Sequence, residues 1–150
     1  KTKIFVLTLI LLLIDCTSAT NFTKTEKNLS QGELSKVSYS EITRGTRNFF
    51  TFTPLTYKNV LNEKETEIKM SADQWQRIKV AVSELDINKI STYKSPTTKR
   101  FSDGAKAAKI TIEMDGKEYS SAEFDAGNAP AQLQKLYTAL VGERIIKVKK

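Results

Sequence analysis

A tight turn in the C-terminal half of the chain restricts its fold more than any other local feature. In "AAKITIEMDGKEYSSAEF", Ile110, Ile112 and Met114 alternate with polar residues, as expected for a strand with one buried face. Asp115 and Gly116 accept the positive φ angles that a two-residue type I′ turn requires. Because such a turn can only join antiparallel strands, this stretch predicts an antiparallel hairpin.

Two earlier stretches, "KVSYSEITRGTRNFFTFTP" and "LTYKNVLNEKETEIKM", are also rich in β-branched and aromatic residues. Breaks at Arg44, Gly45 and near Asn62 predict two or three antiparallel strands there.

In "SADQWQRIKVAVSELDI" the apolar period changes to about 3.6 residues, which predicts a helix. Ser71 as its N-cap, with Gln74 three residues later, forms a capping box.

A second helix is predicted near the C-terminus, after the hairpin and the irregular segment "DINKISTYKSPTTKRFSDG" that precedes it, which we call the crossing. Asn128 is its predicted N-cap, Pro130 lies in its first turn and Gly142 ends it. Its buried stripe consists of Leu133, Leu136 and Leu140. The order ββ(β)αββα predicts an α+β fold, with a single antiparallel sheet of four to five strands and two helices packed on one face.

The N-terminus has the order of charged, apolar and small residues that is typical of a secretory signal. The run at 4–14, which is apolar except for Thr8, is shorter than the roughly 20 residues that span a bilayer. We therefore predict a signal peptide at 1–19, a disordered tether at 20–34, one domain at 35–146 and a basic tail at 147–150.

Export is the predicted localisation, to the periplasm or the medium, with the mature chain beginning at Thr20. Cys16, the only cysteine, lies within the predicted signal, so the domain has no disulfide. A lipoprotein anchored through Cys16 is the alternative, although the charged Asp15 does not suit a lipidation site.

The net charge of the whole chain is +7, and removing Lys1, Lys3 and Asp15 with the signal leaves +6. This excess favours anionic neighbours such as acidic proteins, glycans or lipid headgroups. Nucleic acid is not an expected partner of an exported chain.

Two loop motifs, "SPTTKRFSDGA" and "FDAGNAP", resemble those of a family of small exported bacterial domains of unknown function. Members of that family have a ββαββα plan, an "SPT…R…DGA" crossing and an "FDxGxxP" loop before the last helix. The resemblance covers about residues 35–141. It implies the same fold and no assigned activity, cofactor or partner.

Catalytic chemistry has few routes in this chain, because it contains no histidine. A small hydrolase would need a carboxylate pair at a defined separation. The candidate carboxylates are Asp103, Asp115, Glu123 and Asp125. Neither loop motif has the regularly spaced oxygen ligands of a calcium loop, so no metal and no cofactor are predicted.

The two motifs permit either a binding site or an internal tie. As a binding site they contribute Arg100, Asp103, Asp125, Gly127 and Asn128. Lys99 and Arg100 could then meet Arg44 and Arg47 as an anion site. As a tie, Arg100 pairs with Asp125 or Asp103 and holds the two loops together, which is the reading that we favour.

The leading functional hypothesis is a non-enzymatic binding module for a protein or an envelope component. The alternative is a small carboxylate-dependent hydrolase. The binding hypothesis expects contact through the loops or through an open sheet face, lined by Tyr39, Phe49, Tyr57 and Tyr119.

Overall fold

The computed structural model describes residues 32–102 and 104–145, with side chains as far as Gly142. The predicted signal, most of the predicted tether, Asp103 and the basic tail lie outside the described residues. Within the described residues the chain has an α+β fold with a single antiparallel sheet and two α-helices.

In the described part of the chain the sheet has seven strands, six of them joined in the order β4-β3-β2-β1-β5-β6, and the short β7 pairs with the start of β5. Every pairing is antiparallel. The strand bounds are β1 Leu34–Thr43, β2 Thr46–Phe52, β3 Thr56–Leu61, β4 Lys64–Lys69, β5 Ala107–Met114, β6 Lys117–Ser120 and β7 Phe124–Asp125.

The predicted count of four to five strands is therefore too low, for two physical reasons. First, the stretch before α1 contains an additional turn, in which the Thr53 hydroxyl accepts the Thr56 N–H at 2.9 Å. Second, the last strand is interrupted after β6. There the Ser121 hydroxyl, rather than a backbone carbonyl, accepts the Ile110 N–H at 3.1 Å.

The predicted turn between β5 and β6 is confirmed, since Asp115 and Gly116 have φ angles of 52° and 71°. Both values fit a type I′ turn. The Asp115 carboxylate also accepts the Glu33 N–H at 2.7 Å, so the turn fixes the chain just before β1.

Alternating residues of the central strands form the core. Tyr39 pairs with both Phe50 and Ile110, and Val37 pairs with both Phe52 and Ile112, so these side chains share one face of the sheet. All are buried in one cluster together with residues of both helices, namely Trp75, Ile78, Ala81, Val82, Leu133, Leu136, Tyr137 and Leu140. The three leucines predicted for the second helix are all buried, but Leu133 lies in the turn before that helix.

The first helix, α1, spans Ala72–Ser83, and its predicted capping box is present. The Ser71 hydroxyl accepts the Gln74 N–H at 3.2 Å, and the Gln74 side chain accepts the Ser71 N–H at 3.0 Å. In the crossing that follows, Ile90 is buried, and Ile87 and Tyr93 pack against the core.

The second helix, α2, spans Gln134–Ile145, and both of its predicted ends are wrong. Pro130 has extended backbone, with φ −50° and ψ 145°, so a 3-10 turn at Ala131–Leu133 precedes the helix. The N–H of Asn128 instead donates to the Asp125 carbonyl at 2.8 Å in the preceding loop. Gly142 does not end the helix, which continues to Ile145.

Candidate functional site

The two loop motifs meet at Asp125, the last residue of β7. The crossing before β5 forms a short 3-10 turn at Lys99–Phe101, and this turn lies against β7. The Asp125 carboxylate is buried at this junction, with only 3% of the residue exposed.

Both oxygens of the Asp125 carboxylate accept hydrogen bonds from the crossing. Oδ2 accepts the Thr97 hydroxyl and, at 2.7 Å, the Lys99 N–H. Oδ1 accepts the Arg100 N–H at 2.7 Å and the Arg100 Nη1 at 3.3 Å. The same Nη1 donates to the Thr97 carbonyl at 2.8 Å, which fixes the guanidinium against its own turn. The predicted pairing of Arg100 with Asp125 is therefore present.

The backbone around Asp125 is also bonded internally. The Ser95 hydroxyl accepts the Asp125 N–H at 3.4 Å, and the Lys106 carbonyl accepts the Ala126 N–H at 3.0 Å. Gly127 has a φ of 92°, in the region that favours glycine, and donates its N–H to the Tyr137 hydroxyl at 2.9 Å. The loop is thus held to both the crossing and α2.

The electrostatics of this junction favour an ionised carboxylate. Burial alone raises the pKa of Asp125, but the hydrogen bonds from Thr97, Arg100 and Lys99 outweigh it and lower the pKa to about 2. A carboxyl with this pKa carries no proton to donate near neutral pH. With both oxygens occupied by internal donors, the arrangement suits a structural tie between two loops.

Of the five residues predicted for a binding site, the structure describes four. Arg100 and Asp125 pair, and Gly127 and Asn128 shape the loop next to them. Asp103 lies outside the described residues. In the predicted anion surface with Arg44 and Arg47, the Arg100 guanidinium is already bonded to Asp125 and to the Thr97 carbonyl.

Thr97 and Ser95 are the parts of the junction that sequence reasoning missed. They flank Pro96 in the "SPTTKR" motif, and Ser and Thr hydroxyls in such turns are a signal for local hydrogen bonding. Their partner is distant in sequence, so the motif alone could not identify it. Tyr137, whose hydroxyl receives the Gly127 N–H, was missed for the same reason.

A second polar cluster lies on the face of the sheet that packs against the core, which we call the inner face. Glu41 is buried, with 7% of the residue exposed, and its carboxylate accepts the Tyr39 hydroxyl at 2.9 Å. Lys106 contacts the other carboxylate oxygen at 3.4 Å. Burial, followed by the charge of Glu41, raises the pKa of the Tyr39 phenol, which is therefore neutral. The Tyr137 and Tyr39 rings meet edge-on, with their centroids 5.6 Å apart. Because the Tyr137 hydroxyl also accepts the Gly127 N–H, this cluster adjoins the motif loops.

The aromatic face predicted for binding does not exist in that form. Tyr39 and Tyr57 point into the core, Tyr119 packs against it, and only Phe49 faces away, with 43% of the residue exposed. The reason is register, because Tyr39 pairs with Phe50 and Phe49 therefore projects from the opposite face. We call this opposite face the outer face; it includes Ser38, Ser40, Phe49, Thr51, Lys109 and Thr111.

Among the described residues, no group of three or more His, Cys, Asp or Glu side chains is placed to hold a metal ion. In the same part of the chain, no helix has both the length and the apolar composition to cross a membrane. Comparisons of the chain with protein-family models, with curated proteins and with solved structures found no match.

Proposed function

We propose that this chain is a non-enzymatic binding module of the cell envelope or the extracellular space, and that its partner contacts the outer face of the sheet. In this proposal both helices cover the inner face and leave the outer face available. The chain is exported by its N-terminal signal, as the order of residues in 1–19 suggests.

One observation carries the proposal, namely the contrast between the motif junction and the outer face. At the junction, every oxygen of the Asp125 carboxylate has an internal donor. On the outer face, Phe49 is 43% exposed, and the neighbouring Arg47 and Lys109 are exposed too. An exposed aromatic ring beside cations is a typical component of a recognition surface.

The hydrolase alternative has no specific observation in its favour. It requires one carboxyl group that holds a proton and a second that is free to act as base or nucleophile. Asp125 is ionised and saturated with donors, and the buried Glu41 is engaged by Tyr39 and Lys106.

The proposal is tested by surface variants in a capture assay. The full chain is immobilised and exposed to envelope extract, and the retained material is quantified. Phe49→Leu should reduce retention, whereas Lys79→Gln, on the exposed side of α1, should not. Equal retention by all variants, or loss only in Lys79→Gln, would contradict binding through the outer face.

A further inference from the structure

The outer face holds two shallow depressions that share the Phe49 ring. One has a volume of about 590 Å³ and is lined by Arg47, Val60, Asn62 and Glu63 as well as Phe49. The other has a volume of about 210 Å³ and is lined by Ser38, Ser40, Thr51, Lys109 and Thr111 with Phe49. Phe49 pairs with Val60 on one side and Ser40 on the other, so its ring lies between the two depressions.

Each depression contains one cation, Arg47 in the first and Lys109 in the second. Neither cation forms an ion pair with a carboxylate of the described residues. Other lysines on the same face differ in this respect. Lys58 contacts Glu65 at 2.8 Å and Glu67 at 3.5 Å. Lys36 likewise contacts Glu113 at 2.6 Å and Glu118 at 3.9 Å.

The cations of this face therefore differ in whether a carboxylate neutralises them. Lys36 and Lys58 are paired with carboxylates, whereas Arg47 and Lys109 form no ion pair among the described residues, although Glu63 lines the same depression as Arg47. A ligand with negative charges on both sides of an uncharged ring would complement this pattern.

The floor of the second depression is rich in hydroxyl groups. Thr111 and Ser120 hydrogen-bond to each other at 2.8 Å. The side-chain hydroxyls of Ser38, Ser40 and Thr51 have no protein partner in the part of the chain that the structure describes. These hydroxyls can donate to and accept from a polar ligand.

We propose that the outer face binds an acidic polysaccharide, with one sugar ring on Phe49 and anionic groups at Arg47 and Lys109. The negative face of the aromatic ring attracts the weakly positive C–H groups of a sugar. The hydroxyl-rich floor suits the sugar's own hydroxyls, and the paired depressions suit consecutive residues of a polymer. This inference rests on the proposed binding function and names the class of its partner.

Titration calorimetry of the full chain with two probes tests the inference: a galacturonic acid hexamer and a chondroitin sulfate hexamer. At least one should bind, and its affinity should fall as the salt concentration rises. The methyl-esterified galacturonic acid hexamer, which is uncharged, should bind more weakly than the acid form. Binding of neither acidic probe, or equal binding of the ester, would overturn the inference.

Variants assign the binding to this face. Phe49→Leu keeps an apolar side chain but removes the ring and should weaken binding about tenfold, whereas Phe49→Tyr should retain it. Lys109→Gln should weaken binding about threefold to fivefold, as expected for one exposed charge pair. Phe101→Leu is the matched control, because Phe101 is 76% exposed but lies on the crossing. Equal effects of Phe49→Leu and Phe101→Leu would contradict the assignment.

The same variants separate failure of this inference from failure of the proposed function. If Phe49→Leu lowers retention of envelope material but no acidic oligosaccharide binds, the binding face stands and the partner class is wrong. Phosphatidylglycerol vesicles provide the comparison for a lipid partner. Binding of vesicles without binding of either hexamer would overturn the polysaccharide in favour of a lipid surface.

Discussion

Replacing Thr97 by Val removes one hydroxyl of the Asp125 junction with little change in shape. The Thr97 hydroxyl donates to Asp125 Oδ2, which keeps only the Lys99 N–H after the substitution. A hydrogen bond to a charged group contributes about 1.5 to 3 kcal/mol to stability. We therefore expect Thr97→Val to lower the free energy of unfolding by about 2 kcal/mol. For a domain of this size, that corresponds to a melting temperature lower by about 8 °C.

Thr98→Val is the matched control, since Thr98 is exposed and its side chain makes no capping hydrogen bond to the 3-10 turn that follows. Its free energy of unfolding should stay within about 0.5 kcal/mol of the wild-type value. Urea denaturation of the three proteins at pH 7 measures both differences. Similar effects of the two substitutions would refute the role assigned to the Thr97 hydroxyl.

The pH dependence provides a second check on the same variant. The pKa of Asp125 is lowered from 3.8 to about 2 in the folded chain, so its ionised form stabilises the fold. This contribution is complete above about pH 4 and is lost as the pH falls towards 2. The difference between wild type and Thr97→Val should shrink over the same interval. A difference that is constant between pH 7 and pH 2 would contradict the account.

Further predictions concern the backbone, the helix cap, the core and the N-terminus. Gly127→Ala should lower the free energy of unfolding by about 1 to 2 kcal/mol, because Gly127 has a φ of 92°. Gly142→Ala should raise it by about 0.5 to 1 kcal/mol, because Gly142 lies within α2 and an added Cβ meets no atom within 4 Å. Ser71→Ala should lower it by about 1 kcal/mol through loss of the capping box. Leu136→Ala should lower it by about 2 to 5 kcal/mol, because Leu136 is fully buried. Denaturant titration measures all four changes, and an opposite sign for Gly142→Ala would show that α2 ends before that residue. Intact mass of the exported protein should correspond to a start at Thr20, and a lipid-modified Cys16 would contradict it.

Features that depend on a few adjacent residues could be predicted from the sequence. The turn at Asp115 and Gly116 and the capping box at Ser71 are local hydrogen-bonding and φ preferences, and both are present. The burial of Leu136 and Leu140 in α2 follows from helical periodicity. Local features of this kind predict which segments are strands and which are helices, and the order of those segments predicts the α+β class.

Features that depend on register or on distant partners could not be predicted. Alternation along β1 indicates that Tyr39 and Val37 share a face. Only the pairing of Tyr39 with Phe50, however, places Phe49 on the opposite face. The role of Thr97 depends on Asp125, a residue 28 positions away in the chain. The predicted N-terminus of α2 is wrong because Pro130 has extended backbone and a 3-10 turn at Ala131–Leu133 precedes the helix.

The most direct test of the structural role of the two motifs is the pKa of the Asp125 carboxyl, measured by carbon-13 NMR titration of the full chain. If the carboxylate is a saturated internal acceptor, its pKa should be about 2, and Thr97→Val should raise it. A pKa near 3.8 or above in the folded wild-type chain would contradict the tie. A value near neutral pH would instead place a titrating carboxyl group in the motif loops, as the hydrolase alternative requires.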